Sequence, residues 1–349
     1  MMKLKERISA FAELGLRLRN ALPGPDKKGD QQLSELINNQ QYKNAWFTPT
    51  NVTSAIEALA NELTPENLSR WTEMYPGLTR ESPPHTVGII MAGNIPLVGF
   101  HDFLCVLITG NRLLAKTSSK DSELIVYIAE LLYSINTGFN DMIRFTDGTL
   151  SGFDAVIATG SNNSSRYFEY YFSRYPNIIR KNRNSIAILK GDESEKDIQE
   201  LGNDVFSYFG LGCRNVSKIF IPDNYNLNKL LKQWGKFSGV IQNNKYANNY
   251  DYNKAVYLVN KYKFFDSGHL LLKEEKGLSS PVSVLYYEYY NSYNSIMQHI
   301  EEMKDKIQCI VGSGNIPFGE SQQPKLWDYA DGTDTIDFLL KKKHRNNVI

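Results

Sequence analysis

Downstream of Pro83-Pro84 the chain falls into short apolar runs rich in Val, Ile and Leu, separated by helix-length segments. This alternation constrains the fold more than any other feature. Neighbouring parallel strands need a crossover of about a dozen residues or more, and a helix is the usual way to make one. Strands are predicted at 86–91, 112–116, 154–158 and 185–189, with helices near 98–108, 121–135 and 163–174 between them. The expectation is a doubly wound α/β unit of the nucleotide-binding kind. A second α/β unit follows Gly191-Asp192-Glu193, with helices at 195–209, 227–237 and 295–304 and strands at 216–221, 282–287 and 308–311.

The first 80 residues are predicted to be mostly helical. One helix covers 52–63, opened by Thr50 or Asn51, and another covers 65–74, opened by Thr64. Leu4, Ile8, Phe11 and Leu14 recur at helical spacing, so the N-terminus is an amphipathic helix, expected to pack on the domain or on a second subunit rather than on a membrane. Lys3, Lys5, Glu6, Glu13, Arg17 and Arg19 break up any secretion-signal core. Residues 23–29 are a predicted loop. No window approaches about 18 uninterrupted apolar residues, so no membrane span is expected and the location implied is cytoplasmic.

At 349 residues the chain can hold two cores, and 42% hydrophobic with 22% charged residues is ordinary for a soluble protein. A net charge of +1 gives no reason to expect nucleic acid or an anionic membrane as partner. The basic run Lys341-Lys342-Lys343-His344-Arg345 is expected to be a solvated end. The Asn- and Tyr-rich stretch 242–252 has the composition of a surface, without the basic stripe of a nucleic-acid stacking platform.

Cys105, Cys213 and Cys309 are widely spaced and odd in number, which implies a reducing compartment. The histidines show no ligand spacing, so no metal site is expected. Cys105 and Cys309 lie in apolar runs and are expected in cores. Cys213 differs. It follows the bend Gly210-Leu211-Gly212 and precedes Arg214 and a β-branched run. A neighbouring cation or a ring of N–H groups can draw a thiol pKa from roughly 8.5 toward neutrality and make it a nucleophile. The alternative is a small core residue.

Further motifs follow strands. In Ala92-Gly93-Asn94-Ile95-Pro96-Leu97, Asn94 is placed either to donate to an oxyanion or to cap the next helix. In Lys116-Thr117-Ser118-Ser119-Lys120, a lysine, hydroxyls and a helix start suit ribose and phosphate, or an ordinary capped helix. Thr159-Gly160-Ser161 again opens a helix and suits a pyrophosphate, though it is not a G-x-G-x-x-G fingerprint.

The order of these pieces resembles the aldehyde dehydrogenase superfamily, with its N-x-P, K-P-S-E, F-T-G-S and G-Q-x-C segments. Ser280-Pro281-Val282 resembles its G-P-V strand, and Asn315-Ile316-Pro317-Phe318-Gly319 its P-F-G-G turn. The runs Tyr208-Phe209-Gly210-Leu211-Gly212-Cys213-Arg214-Asn215 and Trp327-Asp328-Tyr329-Ala330-Asp331-Gly332-Thr333-Asp334-Thr335 are similar to the acyl-CoA reductase branch of LuxC type. The resemblance, which spans about residues 84–340, implies an aldehyde-dehydrogenase-like α/β fold: a Rossmann-type nucleotide-binding domain and a second α/β catalytic domain, with the site in the cleft between them. The domains expected are a helical segment at 1–80, the nucleotide-binding domain at 81–190, the catalytic domain at 191–325 and a tail at 326–349. Cys213 and Asn94 are the implied catalytic residues. Lys116, Ser118, Ser119, Thr159, Gly160 and Ser161 are the implied cofactor-binding residues. A homo-oligomer is implied as well.

Departures from the family pattern refine the expected chemistry. Where hydrolytic members carry E-L-G-G-K, with Glu as general base, this chain has Arg180-Lys181-Asn182-Arg183-Asn184. Nothing there activates water on an acyl-enzyme, so exchange with a thiol is favoured over hydrolysis. Ser119 stands in place of the ribose-binding Glu, between Lys116 and Lys120, which favours NADPH over NADH. Gly277 stands in place of the Glu that holds the nicotinamide ribose. The activity expected is NADPH-dependent reduction of a fatty acyl thioester, on CoA or on a protein, to the aldehyde. A short-chain CoA-acylating aldehyde dehydrogenase and a catalytically silent binding protein of the same fold are the alternatives.

Overall fold

The strands form two sheets, each parallel throughout except at one edge of the second. The computed structural model describes residues 2–24, 29–80 and 82–345. Contacts group Met1–Lys181 with Lys325–Ile349 as one unit and Asn182–Pro324 as the other.

The first unit opens with helices α1 (Leu4–Ala21), α2 (Gln31–Lys43), α3 (Pro49–Glu62) and α4 (Pro65–Glu73). Its sheet holds β1 (Thr86–Ile90), β2 (Arg112–Lys116), β3 (Ile143–Phe145), β4 (Ala155–Thr159) and β5 (Asn177–Arg180), with α5 (Phe100–Ile108), α6 (Glu123–Ile135) and α7 (Asn162–Phe172) as crossovers. The order is β3-β2-β1-β4-β5. The chain builds outward from β1 to β3, then returns to the other side of β1 with β4. That reversal opens a crevice at the carboxyl ends of β1 and β4, where open α/β sheets bind ligands. The core joins Val87 and Ile89 of β1, Phe103 and Leu107 of α5, and Phe11, Leu14 and Leu18 of α1. Cys105 is fully buried there.

The second unit holds β6 (Asn184–Ile188), α8 (Glu195–Phe206), β7 (Val216–Pro222), α9 (Asn228–Trp234), α10 (Asn244–Val259), β8 (Phe265–Asp266), β9 (Leu271–Glu274), β10 (Val284–Tyr290), α11 (Tyr293–Glu302) and β11 (Ile307–Val311). The sheet order is β11-β6-β7-β10-β9-β8. Cys309 is buried on β11. Helix α12 (Thr335–Arg345) then belongs to the first unit.

The structure differs from the expectations in places. The strand predicted at 185–189 as part of the nucleotide-binding sheet pairs with β7 and β11 instead, so it starts the second sheet. The units accordingly divide between residues 181 and 182, not after 190, and the C-terminal segment rejoins the first unit. Strands β3 and β5 complete the first sheet at its edges; they are only three and four residues long, with two apolar residues each. Helix α3 is capped by Thr48, whose Oγ accepts from the Asn51 N–H at 3.3 Å, and not by Thr50 or Asn51. Pro49 takes the first helical position because its missing N–H costs nothing there.

The Asn- and Tyr-rich stretch is helix α10. Its buried face is Tyr246, Tyr250, Asn253 and Tyr257, polar-tipped residues whose spacing is helical but whose chemistry hides it. Their tips are satisfied: the Tyr246 hydroxyl donates to the His269 carbonyl at 2.9 Å and the Asn253 amide to Val282 at 3.0 Å. Residues 25–28 of the predicted loop, and the side chains of Lys342, Lys343, His344 and Arg345, lie outside the described residues, while the backbone is helical through Arg345. Among the described residues no helix is long and apolar enough to cross a membrane.

Candidate active site

In the first unit, pairing alone brings the predicted cofactor segments together. Ile90 sits opposite Lys116 on one side and Ala158 on the other. The loops that leave β1, β2 and β4 therefore start side by side at one edge of the sheet. The Met91 N–H donates to the Lys116 carbonyl at 3.0 Å, which extends the β1–β2 pairing one residue past the strand. Asn94 is exposed in the β1–α5 loop. It does not cap α5, because the cap position is Gly99, so the helix-capping alternative for Asn94 is removed.

Lys116 ends β2 half-buried, and its Nζ donates to the Gly148 carbonyl at 2.9 Å. The Ser118 hydroxyl accepts from the Lys120 N–H at 3.2 Å, and Ser119 is exposed. Thr159 ends β4. Ser161 caps α7 by accepting from the Ser164 N–H at 3.2 Å, and Ser161, Asn162 and Asn163 are exposed. The positive end of α7 therefore faces solvent at the sheet edge, as an anion site requires. Gly160 is needed for packing: a Cβ there would lie 2.9 Å from both Ser164 Cβ and Phe168 Cε2. These residues fit a dinucleotide: an open helix N-terminus for pyrophosphate and hydroxyls for ribose.

Sequence reasoning passed over Asp121. It is 5% exposed and its Oδ2 accepts from the Leu97 N–H at 2.7 Å. Burial pushes its carboxyl up to about 7, against the lowering effect of that hydrogen bond. Its only sequence signal is its place at the end of Lys116-Thr117-Ser118-Ser119-Lys120.

Arg180, which begins the run lacking a general base, is 4% exposed. It grips Asp102 through two bonds of 2.7 and 3.1 Å, and donates to the Ala330 carbonyl and the Thr335 hydroxyl. Burial alone would raise the Asp102 carboxyl; the Arg180 guanidinium outweighs it and holds Asp102 below its ordinary value.

In the second unit, Cys213 lies half-buried between α8 and β7. Helix α8 stops at Phe206, short of the predicted 209, because Tyr208, Phe209 and Gly210 take φ of 50°, 58° and 76°. Such left-handed geometry breaks a helix and is costly for bulky side chains, so it persists only where surroundings enforce it. Here Asn215, 2% exposed, enforces it. Its Oδ1 accepts from the Gly212 N–H at 2.8 Å, while its Nδ2 donates to the carbonyls of Asp204 and Ser207 at 3.0 and 2.8 Å. The Cys213 carbonyl accepts from Ser185 Oγ at 2.9 Å. Arg214 donates through Nε to the Ser321 carbonyl. Asp204 accepts from the Gly319 and Ser321 N–H groups at 2.7 and 2.9 Å, which ties the Pro317-Phe318-Gly319 turn to the same knot. The thiol is thus presented by a loop whose backbone is pinned at Gly212, Cys213 and Arg214. Asn215, Asp204 and Ser185 escaped the sequence reading, although Asn215 lies within the cysteine motif itself.

Lys218, fully buried on β7, donates to the Glu275 and Lys276 carbonyls at 3.0 and 2.9 Å and pairs with Glu288. It thereby anchors the segment leading into Gly277.

The family described as acyl-CoA reductase (LuxC) matches residues 27–234. The long-chain acyl-protein thioester reductase of Aliivibrio fischeri is 23% identical over 230 residues, which is 60% of this chain and 47% of that protein. The chain thus spans about half the length of that curated relative. Among solved structures, an aldehyde dehydrogenase of Physcomitrella patens, solved with the reaction product succinate, superposes with a TM-score of 0.66 at 10% identity, covering 98% of this chain and 85% of that one. The NAD+ complex of an aldehyde dehydrogenase from Bacillus cereus gives 0.62 at 13% identity, covering 90% and 73%. At these identities the likeness shows the aldehyde dehydrogenase fold.

Proposed function

Because the chain belongs to the acyl-CoA reductase (LuxC) family, we propose that it reduces an acyl thioester to the aldehyde through an acyl group carried on Cys213. The observation that carries this reading is the pinned loop of the second unit. Cys213 is half-buried while Cys105 and Cys309 are buried, and Asn215 holds the backbone of the loop that presents it.

The Cys213 sulfur attacks the thioester carbonyl, the C–S bond to the donor breaks, and the donor leaves as a free thiol. Asn94 is the proposed donor to the oxyanion that forms on that carbonyl. A reduced nicotinamide dinucleotide, when bound, supplies the hydride. The C–S bond to Cys213 then breaks as the aldehyde forms, and the sulfur, whose proton went to the departing donor thiol, takes up a proton from solvent for the next turnover. Water is a poor acceptor in this scheme, since the run from Arg180 to Asn184 offers no carboxylate and Arg180 is committed to Asp102.

The first unit is the proposed nucleotide domain, with Lys116, Ser118 and Ser119 toward the adenosine ribose and Thr159, Gly160 and Ser161 toward the pyrophosphate. NADPH is the proposed form, from Ser119 in place of a carboxylate with Lys116 and Lys120 beside it. The donor is a fatty acyl thioester, on CoA or on a protein, in the reducing setting of the cytoplasm.

Incubating the full chain with NADPH and dodecanoyl-CoA, or a dodecanoyl-protein thioester, tests the reading. The wild type should form dodecanal, and Cys213→Ala should lower that rate by about a thousandfold or more. A Cys213→Ala rate equal to the wild type's would refute the covalent route. Absence of aldehyde with both donors, in a wild type whose Cys213 reacts with iodoacetamide no faster than free cysteine, would point to the silent binding protein.

A further inference from the structure

Two loops at the nucleotide edge interlock. One is residues 91–99, which carry Asn94; the other is residues 117–122, which follow Lys116. A Cβ on Gly93 would lie 2.4 Å from Ser118 Oγ and 3.2 Å from Lys120 Cβ, so the first loop lies directly on the second. Four residues further on, at Leu97, the loops are joined again through Asp121. Leu97 is 7% exposed and takes a φ of 57°, a left-handed conformation that a leucine adopts only where something holds it. Its N–H donates to Asp121 Oδ2 at 2.7 Å. Asp121 is in turn tied to its own loop, since its N–H donates to the Ser118 carbonyl at 3.0 Å.

The Asp121 carboxyl is an unusual choice for this task. It is buried, it has no counter-ion within salt-bridge range among the described residues, and its second oxygen, Oδ1, is buried without a hydrogen-bond partner. A structural tie of this kind could be made by a neutral side chain at lower desolvation cost. What Asp121 adds is a strong acceptor aimed at one backbone N–H, in the loop that carries Asn94 and from the loop proposed to hold ribose and phosphate.

We propose that Asp121 is a positioning residue that couples the two loops, so that nucleotide bound against residues 117–122 orders the Asn94 loop. The inference rests on the nucleotide and Asn94 assignments made above. It divides the labour within the first unit: Lys116, Ser118 and Ser119 touch the nucleotide, and Asp121 transmits its presence to residues 91–99 without touching it.

Hydrogen–deuterium exchange on the full chain, with NADPH as the probe, tests this. In the wild type NADPH should slow exchange several-fold in peptides covering 117–122 and also in those covering 91–99. In Asp121→Ala the first protection should persist and the second should vanish. Asp121→Asn, which still offers the Leu97 N–H an oxygen but a weaker, neutral acceptor, should restore it in part. In steady-state turnover, Asp121→Ala should lower kcat about tenfold or more while KM for NADPH stays within about threefold. Wild-type protection confined to 117–122, or equal protection of 91–99 in Asp121→Ala, would overturn the coupling. Absence of NADPH protection at 117–122 in the wild type would instead overturn the nucleotide assignment, and the coupling with it. Loss of turnover in Cys213→Ala leaves the exchange measurement intact, so the coupling and the covalent route are judged separately.

Discussion

Two buried aspartates in the first unit are pushed in opposite directions, and the difference lies in what faces each. Asp102 meets the Arg180 guanidinium at 2.7 Å and is held below its ordinary value despite its burial. Asp121 meets a single N–H, and burial pushes it up to about 7. For Asp121 the folded value lies above the unfolded one, so between about pH 4 and about pH 7 the folded chain binds more protons than the unfolded chain. The contribution of this group to stability is therefore greatest in acid and declines as pH rises through that window. Asp121→Asn has no such decline. Urea unfolding of both proteins at about pH 5 and about pH 8 should show the variant gaining on the wild type at the higher pH. An unchanged difference between the two pH values would mean that burial does not perturb Asp121. At this scale the sequence offers candidate reactive residues but not their supports. Cys213 stands out among glycines, whereas Asp121 and Asn215 become meaningful only through hydrogen bonds to Leu97, Gly212, Asp204 and Ser207.

Among the elements, the predicted strands β1, β2, β4 and β7 fall within a few residues of their observed positions, because their buried positions are mostly Val, Ile, Leu, Ala and Phe. The edge strands β3, β5 and β8, and β9 between β10 and β8, are absent from the sequence expectation because each is only two to four residues long, too short for a period to show. Helix α10 was missed for a different reason: its buried stripe is tyrosine and asparagine, and only the tertiary partners of those polar tips make the face a core face. The loop after β2 carries the prediction that belongs to this scale. Ser119 is exposed beside Lys120 and three residues beyond Lys116. A carboxylate there would repel a 2′-phosphate and accept from a 2′-hydroxyl. Ser119→Glu should shift the ratio of kcat/KM for NADPH over NADH toward NADH by about tenfold. An unchanged ratio would remove Ser119 from the proposed nucleotide contacts.

The whole chain is organised by a return. After the second unit it re-enters the first, where the Tyr329 hydroxyl accepts from Trp71 Nε1 at 2.8 Å and Tyr75 donates to Asp334 at 2.6 Å. Arg180 donates to Ala330 and Thr335 while paired with Asp102, so one guanidinium links β5, α5 and the returning segment. Removing one partner of a buried pair leaves an uncompensated charge. Arg180→Met should cost about 3–5 kcal/mol in chemical unfolding of the full chain, and the double variant Arg180→Met with Asp102→Leu should cost less than the single one. Equal costs would mean that the pair contributes through packing and not through charge.

The amino-acid sequence by itself determined the alternation of strand and helix, the order of the N-x-P, lysine, glycine and cysteine segments, and hence the family and the proposed chemistry. These are local properties, carried by the period of apolar residues and by residue type at a strand end. Only the tertiary structure decided that the strand at 184–188 begins the second sheet, that the C-terminal segment belongs to the first unit, and that Asp121 and Asn215 hold the loops of Asn94 and Cys213. A strand's own sequence does not say which neighbour will satisfy its backbone, and a buried polar side chain acquires its role only from the groups that burial places against it.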